Sequence, residues 1–330
     1  MTHTLFLGVG SVTTRIILSA YRQVLDRGRA DRASAVVAFG EDPSFYDADR
    51  IPGLRWHRLP SLRTTLTVVA HAREDYPWID DKGFDAMRAM SREPGDGLAA
   101  SPGAGRCAVV GAAPDLYNSI RAVRDEVNAR GDELDVLVCT SLVGGSSSGS
   151  LAEAGLLARS ACSDEQGESL VRVRNVLVLP SFAIDAHPHE VQRRADNALQ
   201  GLRMAAEGVA VKKRWFTGRN GREEMVASLA DEFVLVNPAY QADDHARVKA
   251  LTTIDQVVSA TARILAGYAG GETAWQALQN RTMDSTAWRV DGEGAGARFR
   301  WVNAVNEARV YFDDQRLRAG VMHGLLQPTA

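Results

Sequence analysis

The sequence predicts an α/β protein built on a doubly wound, mostly parallel sheet, with a long buried core helix and a short C-terminal appendage. The first observation is that apolar, β-branched runs alternate along the chain with segments of helical period. The second is that two of these runs lead through glycine-rich loops, Gly8–Gly10 and Gly144–Ser150, straight into a helical pattern. Both loops are therefore expected at the carboxyl edge of the sheet, where open α/β sheets bind ligands.

The composition argues against binding of nucleic acid or of an anionic membrane. The 330 residues include 38 basic and 41 acidic side chains, for a net charge of -3, so no basic field attracts nucleic acid or an anionic membrane. We therefore expect neither as a partner. No run approaches the roughly 18 apolar residues of a membrane span, and the three cysteines show no CxxC spacing. These features predict a cytoplasmic protein with reduced thiols.

The first strand and loop run from Leu5 into a helix that extends to Leu25. A dinucleotide fingerprint of the GxGxxG type would need glycine where Thr13 stands, so that function is weakly supported. The next strand, Ala35–Phe39, is followed by Asp42 and Pro43. Asp42 is expected either to contact a ligand at the strand's carboxyl end or to start a turn.

Residues 44–104 form the least regular stretch, interrupted by five prolines, with a strand predicted over Thr65–Ala70 and no assigned chemistry. A helical pattern then opens near Gly103 and runs through Val127. Arg106, close to its start, is expected either to reach a phosphate or to be a solvated surface arginine.

The central stretch is the strand Val136–Ser141 and a run of small residues, followed by a helix from Leu151. The small residues are Gly144, Gly145, Ser146, Ser147, Ser148, Gly149 and Ser150. Their backbone N–H groups can point into one concavity at a helix amino end, which favours a phosphate. The alternative is that small residues are there only because the chain turns sharply.

Further strands are predicted at Val171–Leu179 and Glu232–Pro238, with a helix over residues 190–207 between them and a fully buried core helix over residues 251–268. The His187-Pro188-His189 motif favours a loop pair over a ligand set, and no metal site is predicted. We divide the chain into an α/β domain (residues 1–250), the core helix (251–270) and a reduced C-terminal region (271–330) that contains a strand or two within Phe299–Phe312.

From about residue 5 to 270 this order of features resembles the tubulin and FtsZ superfamily of GTP-binding filament proteins, and more closely its divergent bacterial tubulin-like members. Gly144–Ser150 is similar to the family's mid-domain glycine loop, although Ser147 replaces a glycine. Further matches are Gly8, Gly10 and Ser11 to the first loop, Asp42 to the acid after the second strand, and Arg106 to the segment before the third helix.

The resemblance implies binding of GTP or GDP with Mg²⁺, contacts from Asn197 and Asp255 to guanine, and self-association into a homo-oligomer or filament. It also implies hydrolysis completed by an acid of the neighbouring subunit, for which Asp284 is the one candidate. A variant within this class is a nucleotide-binding scaffold that has lost hydrolysis.

A hypothesis of another class comes from Gly145–Gly149, which fits the GxSxG elbow of a serine α/β-hydrolase. Ser147 would be the nucleophile, Asp185 the acid and His323 the base. A dinucleotide-dependent oxidoreductase is the third hypothesis.

Overall fold

The computed structural model describes residues 2–40, 42–75, 79–90, 102–142, 145–163, 171–178, 209–212, 223–226, 230, 232–236, 253–270 and 302–305. Within these ranges the strands are β1 (Thr2–Val9), β2 (Ala33–Phe39), β3 (Leu54–Arg58), β4 (Glu133–Ser141), β5 (Arg172–Val178), β6 (Val209–Lys212), β7 (Glu223–Val226), β8 (Glu232–Val236) and β9 (Val302–Val305). The helices are α1 (Ser11–Asp26), α2 (Leu62–His71), α3 (Asp81–Met90), α4 (Pro102–Ala129), α5 (Gly145–Gly149), α6 (Leu151–Cys162) and α7 (Ile254–Gly270).

Seven of these strands form one sheet in the order β3-β2-β1-β4-β5-β8-β9, and all neighbouring pairs are parallel. The chain builds the sheet outward from β1 to β3 and then, from β4, outward on the other side. The topological switch point therefore lies between β1 and β4, as in doubly wound nucleotide-binding folds. The predicted α/β class is confirmed.

Helices cover both faces of the sheet. Phe6 of β1 packs towards α1 and α7, whereas Leu5 and Leu7 face the layer that contains α2, α4 and α6. This alternation follows from the two-residue period of a strand. Because both faces are covered, the central strands are apolar on both sides, which is why they appear as continuous hydrophobic runs.

The strand predicted over Thr65–Ala70 is wrong, because the structure forms helix α2 there. Ser61 caps this helix by accepting a hydrogen bond from the Thr64 N–H at 3.2 Å. The buried positions are Leu62, Thr65, Leu66 and Val69, a helical spacing that outweighs the β-branched character of the segment.

Helix α7 confirms the predicted core helix and packs along α1 on the sheet, but it is not fully buried. Its first residues and Arg263 are exposed because one side of the helix faces away from the sheet. Strand β9 pairs with β8, so at least part of the region predicted as an appendage extends the main sheet. The helix predicted over residues 190–207 lies outside the described residues.

Cys107, Cys139 and Cys162 are buried and unbridged, as predicted. Burial raises the pKa of the Cys107 and Cys162 thiols to about 12, which keeps both groups protonated. In the part of the chain with described structure, no helix is long and apolar enough to cross a bilayer.

Candidate functional site

The loops that follow β1 and β4 meet at the carboxyl edge of the sheet. Gly10 has a φ of +93°, and a Cβ added to it would lie 3.0 Å from the Ser147 backbone nitrogen and 3.2 Å from the Ser146 Cβ. The Gly10 N–H also donates to the Ala38 carbonyl oxygen of β2 at 2.7 Å. The absence of a side chain at Gly10 thus lets the two loops touch across the switch point.

The amino end of α1 opens at this edge. Gly10 is its N-cap residue and supplies no side-chain hydrogen bond, and the first turn carries no acidic residue. Ser11 is exposed, while the Thr13 hydroxyl turns back to the Gly10 carbonyl oxygen at 2.9 Å. The positive end of the helix dipole therefore faces the edge without a competing carboxylate in the first turn.

The segment predicted as a loop over residues 144–150 begins a helical turn at Gly145, and Gly144 lies outside the described residues. This turn, α5, lies against the start of α4. A Cβ on Gly105 would sit 2.0 Å from the Gly145 carbonyl oxygen, and one on Gly149 would sit 2.1 Å from the Pro102 carbonyl oxygen. Close backbone packing thus accounts for part of the small-residue pattern.

The serines of this turn differ in exposure. Ser146 and Ser148 are half-buried, whereas Ser147 is only 4% exposed. The Ser147 Oγ accepts a hydrogen bond from the Ser141 N–H at 2.7 Å and so ties the turn to the end of β4. This arrangement does not present Ser147 as a nucleophile. The other two residues of the hydrolase hypothesis, Asp185 and His323, lie outside the described residues.

Arg106 is neither a surface arginine nor turned out to the edge. Its side chain is 13% exposed, and its Nε donates to Oε1 of Glu153, which is completely buried. Within the described structure the Glu153 Oε2 has no hydrogen-bond partner. Burial raises the pKa of Glu153, an effect that the Arg106 guanidinium partly opposes. The pair links α4 to α6 directly behind α5.

Sequence analysis missed Glu153 because its local signal points elsewhere. Ser150-x-x-Glu153 has the pattern of a capping box, which predicts a solvent-facing pair at the start of α6. In the structure Ser150 makes no side-chain cap, and its Oγ donates instead to the Ser147 carbonyl oxygen at 2.8 Å. Glu153 is therefore available for Arg106.

Asp255 lies in the first turn of α7 and forms an ion pair with Arg15 of α1. Its side chain is 76% exposed and that of Arg15 is 35% exposed. Arg15 lies one turn beyond Ser11, so the carboxylate is placed near the amino end of α1. It is accessible to a ligand that approaches along α1.

Asp42 is exposed and caps the 3-10 turn Pro43–Tyr46 by accepting from the Ser44 N–H at 2.8 Å. Hydrogen bonds from Ser44 lower the pKa of Asp42. Of the two alternatives for this residue, the structure shows the turn-starting one. Asn197 and Asp284 lie outside the described residues.

No group of three or more His, Cys, Asp or Glu side chains is arranged to hold a metal ion in the described ranges.

A cavity of about 500 Å³ lies at the opposite, amino edge of the sheet. Its polar groups bind one another: the His3 Nε2 lies 3.1 Å from the Ser34 Oγ, and the Tyr21 hydroxyl donates to the Pro52 carbonyl oxygen at 2.8 Å. The carboxyl ends of α1 and α4 point to this edge and disfavour an anion. The carboxyl edge is therefore the better candidate for a phosphate.

No family model and no curated protein matches the sequence. Among solved structures, the chain is similar to Clostridium botulinum phage c-st TubZ (a C-terminal tail truncated protein), with a TM-score of 0.34, 11% identity and coverage of 85% of this chain. It is also similar to Phytolacca americana UGT2 complexed with UDP-2fluoro-glucose and pterostilbene, with a TM-score of 0.31, 8% identity and coverage of 71% of this chain. The chain spans 60% of the length of the first structure and 48% of the second. At these distances neither structure indicates a function for this chain.

Proposed function

We propose that the chain binds a guanine nucleotide at the carboxyl edge of the sheet, with its phosphates between the amino end of α1 and the turn at residues 145–150. The observation that carries the proposal is the contact between Gly10 and Ser147 at the switch point, beside a helix amino end without a side-chain cap. Ligands of open α/β sheets bind at switch points, and helix amino ends favour phosphate.

Selection of guanine is assigned to Asp255. A carboxylate accepts hydrogen bonds and donates none, so it pairs with the two donors on the N1 and N2 edge of guanine and not with the acceptor at N1 of adenine. Arg15, already bonded to Asp255, brings a guanidinium to the same place. Arginine is the usual donor to guanine O6 and N7.

Self-association and hydrolysis extend the proposal. The bound nucleotide carries Mg²⁺, Asn197 adds a contact to guanine, and Asp284 of a neighbouring copy positions the attacking water. GTP turnover per chain then rises with protein concentration. Asp284→Ala and a variant that cannot bind nucleotide are each inactive alone, and mixing them restores part of the turnover because each supplies what the other lacks.

The test of the proposal is equilibrium binding of GTP, ATP and NAD in the presence of Mg²⁺, to the parent chain and to Asp255→Asn. The expected result is a preference for GTP that Asp255→Asn removes, with a loss of about 10- to 150-fold in GTP affinity, since hydrogen bonds to a charged group contribute about 1.5–3 kcal/mol. Arg15→Gln breaks the same ion pair but keeps the carboxylate. Because Arg15 is itself assigned to guanine, this variant is expected to weaken GTP binding but to retain part of the preference for GTP over ATP. The absence of GTP binding at millimolar concentration contradicts the proposal, and labelling of Ser147 by a phosphonate would favour the hydrolase hypothesis in its place.

A further inference from the structure

A groove of about 230 Å³ runs along the outer side of α1, beside the proposed nucleotide site. Its α1 wall is a single stripe of the helix, formed by Arg15, Leu18, Ser19 and Arg22. The rest of the lining is Val258 of α7 and, from the turn after β2, Phe45, Tyr46 and Asp47. The groove therefore combines apolar surface with two guanidinium groups and one carboxylate.

Phe45 is unusual because its apolar ring is 72% exposed, more than the other large exposed hydrophobic residues of the described structure. The ring is nevertheless held in place. It packs edge to face against Tyr46, with centroids 4.9 Å apart and an interplanar angle of 87°, and Tyr46 packs in turn on Phe39 at 4.8 Å. A large aromatic surface is thus presented to solvent in a fixed position.

The backbone that carries Phe45 is also fixed. Asp42 caps the turn through the Ser44 N–H, and an Arg22 Nη2 of α1 donates to the Tyr46 carbonyl oxygen at 2.9 Å. Asp47 ends the turn with a φ of +50°, a left-handed conformation that few non-glycine residues adopt. Asp42 therefore helps to hold Phe45 in place as well as to begin the turn.

The groove continues the line of the proposed nucleotide site. Arg15 lies about 6 Å and Leu18 about 10 Å along α1 from Ser11, at about 1.5 Å per residue. Asp255, which is bonded to Arg15, lies one turn of α7 before Val258. An extended nucleotide with its phosphates at Ser11 thus brings its base to Asp255 at the mouth of the groove.

We propose that Phe45 is the platform on which the base of the bound nucleotide stacks, while Asp255 and Arg15 engage the edge of the same base. This inference rests on the proposed nucleotide binding. Aromatic side chains stack on any nucleobase because every base has a π face. Phe45 therefore supplies affinity for the base without selecting guanine, and Asp255 supplies the selection.

The experiment compares the parent chain with Phe45→Ala and Phe45→Tyr, and measures the dissociation constants of GTP, ATP and inorganic triphosphate. Phe45→Ala is expected to weaken GTP and ATP alike by roughly 5- to 150-fold and to leave triphosphate unchanged, because only the base loses its contact. Phe45→Tyr retains a ring and keeps the parent affinity. Val68→Ala is the matched control, since Val68 is another exposed apolar side chain, on α2 of the opposite layer.

Unchanged affinity for GTP in Phe45→Ala overturns the inference and leaves the proposed function standing. An equal loss for triphosphate also overturns it, because the effect would then not lie in the base. If the parent chain binds no nucleotide, the proposed function fails and this inference fails with it. The high exposure of Phe45 favours normal folding of its variants, which circular dichroism verifies.

Discussion

Replacing Gly105 by alanine tests whether α5 is seated on α4 as tightly as the structure indicates. The new Cβ would lie 2.0 Å from the Gly145 carbonyl oxygen and 2.5 Å from its carbonyl carbon. The shorter of these distances is about 1.4 Å below the 3.4 Å at which ordinary contact begins. The obstacle is backbone, so no side-chain rotation relieves the clash, and α5 has to move.

Two effects of opposite sign decide how much Gly105→Ala changes the free energy of unfolding. Overpacking costs about 1–3 kcal/mol, and a backbone obstacle places this site at the upper end of that range. Alanine gains about 0.8–1.0 kcal/mol over glycine in a helix interior. The net expectation for Gly105→Ala is a loss of about 2 kcal/mol in the free energy of unfolding, by the difference of these two terms.

The control position, Gly111, lies in the same helix, α4. A Cβ on Gly111 would lie 3.6 Å from the Pro60 Cγ, which is ordinary contact, so Gly111→Ala is expected to stabilise the protein by about 0.5–1 kcal/mol. Urea unfolding of both variants measures the difference, provided that the slopes agree. Gly105→Ala is also expected to weaken GTP binding, because the displaced turn lines the proposed phosphate site. Equal stabilisation by both substitutions refutes the close packing of α5 on α4.

Three further predictions concern the groups behind this turn. Arg106→Met leaves the Glu153 carboxylate buried without its counter-charge and should lower the free energy of unfolding, measured by urea titration, by about 3–5 kcal/mol. An effect below about 1 kcal/mol would contradict the burial of this carboxylate and indicate that water reaches it. Burial raises the pKa of Glu153, so the folded state binds the proton of this carboxyl group more tightly than the unfolded state does. The contribution of Glu153 to the free energy of unfolding therefore falls as pH rises from its unfolded pKa, about 4.3, through its higher folded pKa. Glu153→Gln removes this titration, so the stability of the variant relative to the parent should increase over that window; a difference that does not change with pH contradicts the assignment. Ser147→Ala removes the hydrogen bond from the Ser141 N–H to the Ser147 hydroxyl and should cost about 0.5–1.5 kcal/mol, with half-buried Ser148→Ala as the control and thermal unfolding as the measurement.

The parallel sheet, and the position of two glycine-containing segments at its edge, could be predicted from the sequence because their signals are local. The loop conformation was not predicted correctly, since Gly8 lies within β1 and residues 145–149 form a helical turn. A β-branched apolar run followed at once by small residues and an amphipathic segment has few other interpretations. The position of Gly10 against Ser147 follows from the same topology, since β1 and β4 are neighbours and both run towards this edge. The structure places Asp255 beside Arg15 of α1, and its contact with guanine stays a prediction.

The features that escaped prediction depend on tertiary contacts. Helix α2 was predicted as a strand because Thr65 and Val69 favour sheets, and the packing face that decides the matter is visible only once α4 is in place. The Arg106–Glu153 pair joins two residues that are 47 positions apart in sequence and lie on different helices. Phe45 lies in a stretch without periodicity, and its exposure cannot be inferred from its neighbours in the chain.

The most direct test of nucleotide binding at this edge is a charge placed at Ser11, the exposed first residue of α1. Ser11→Asp is compared with its uncharged isostere Ser11→Asn by titrating GTP in the presence of Mg²⁺. Ser11→Asp is expected to raise the free energy of unfolding by about 0.3–1 kcal/mol, through the helix dipole, and yet to weaken GTP binding more than tenfold by repelling the phosphates. Ser11→Asn keeps both close to the parent values. Undiminished GTP affinity in a well-folded Ser11→Asp protein would contradict the placement of the phosphates at α1.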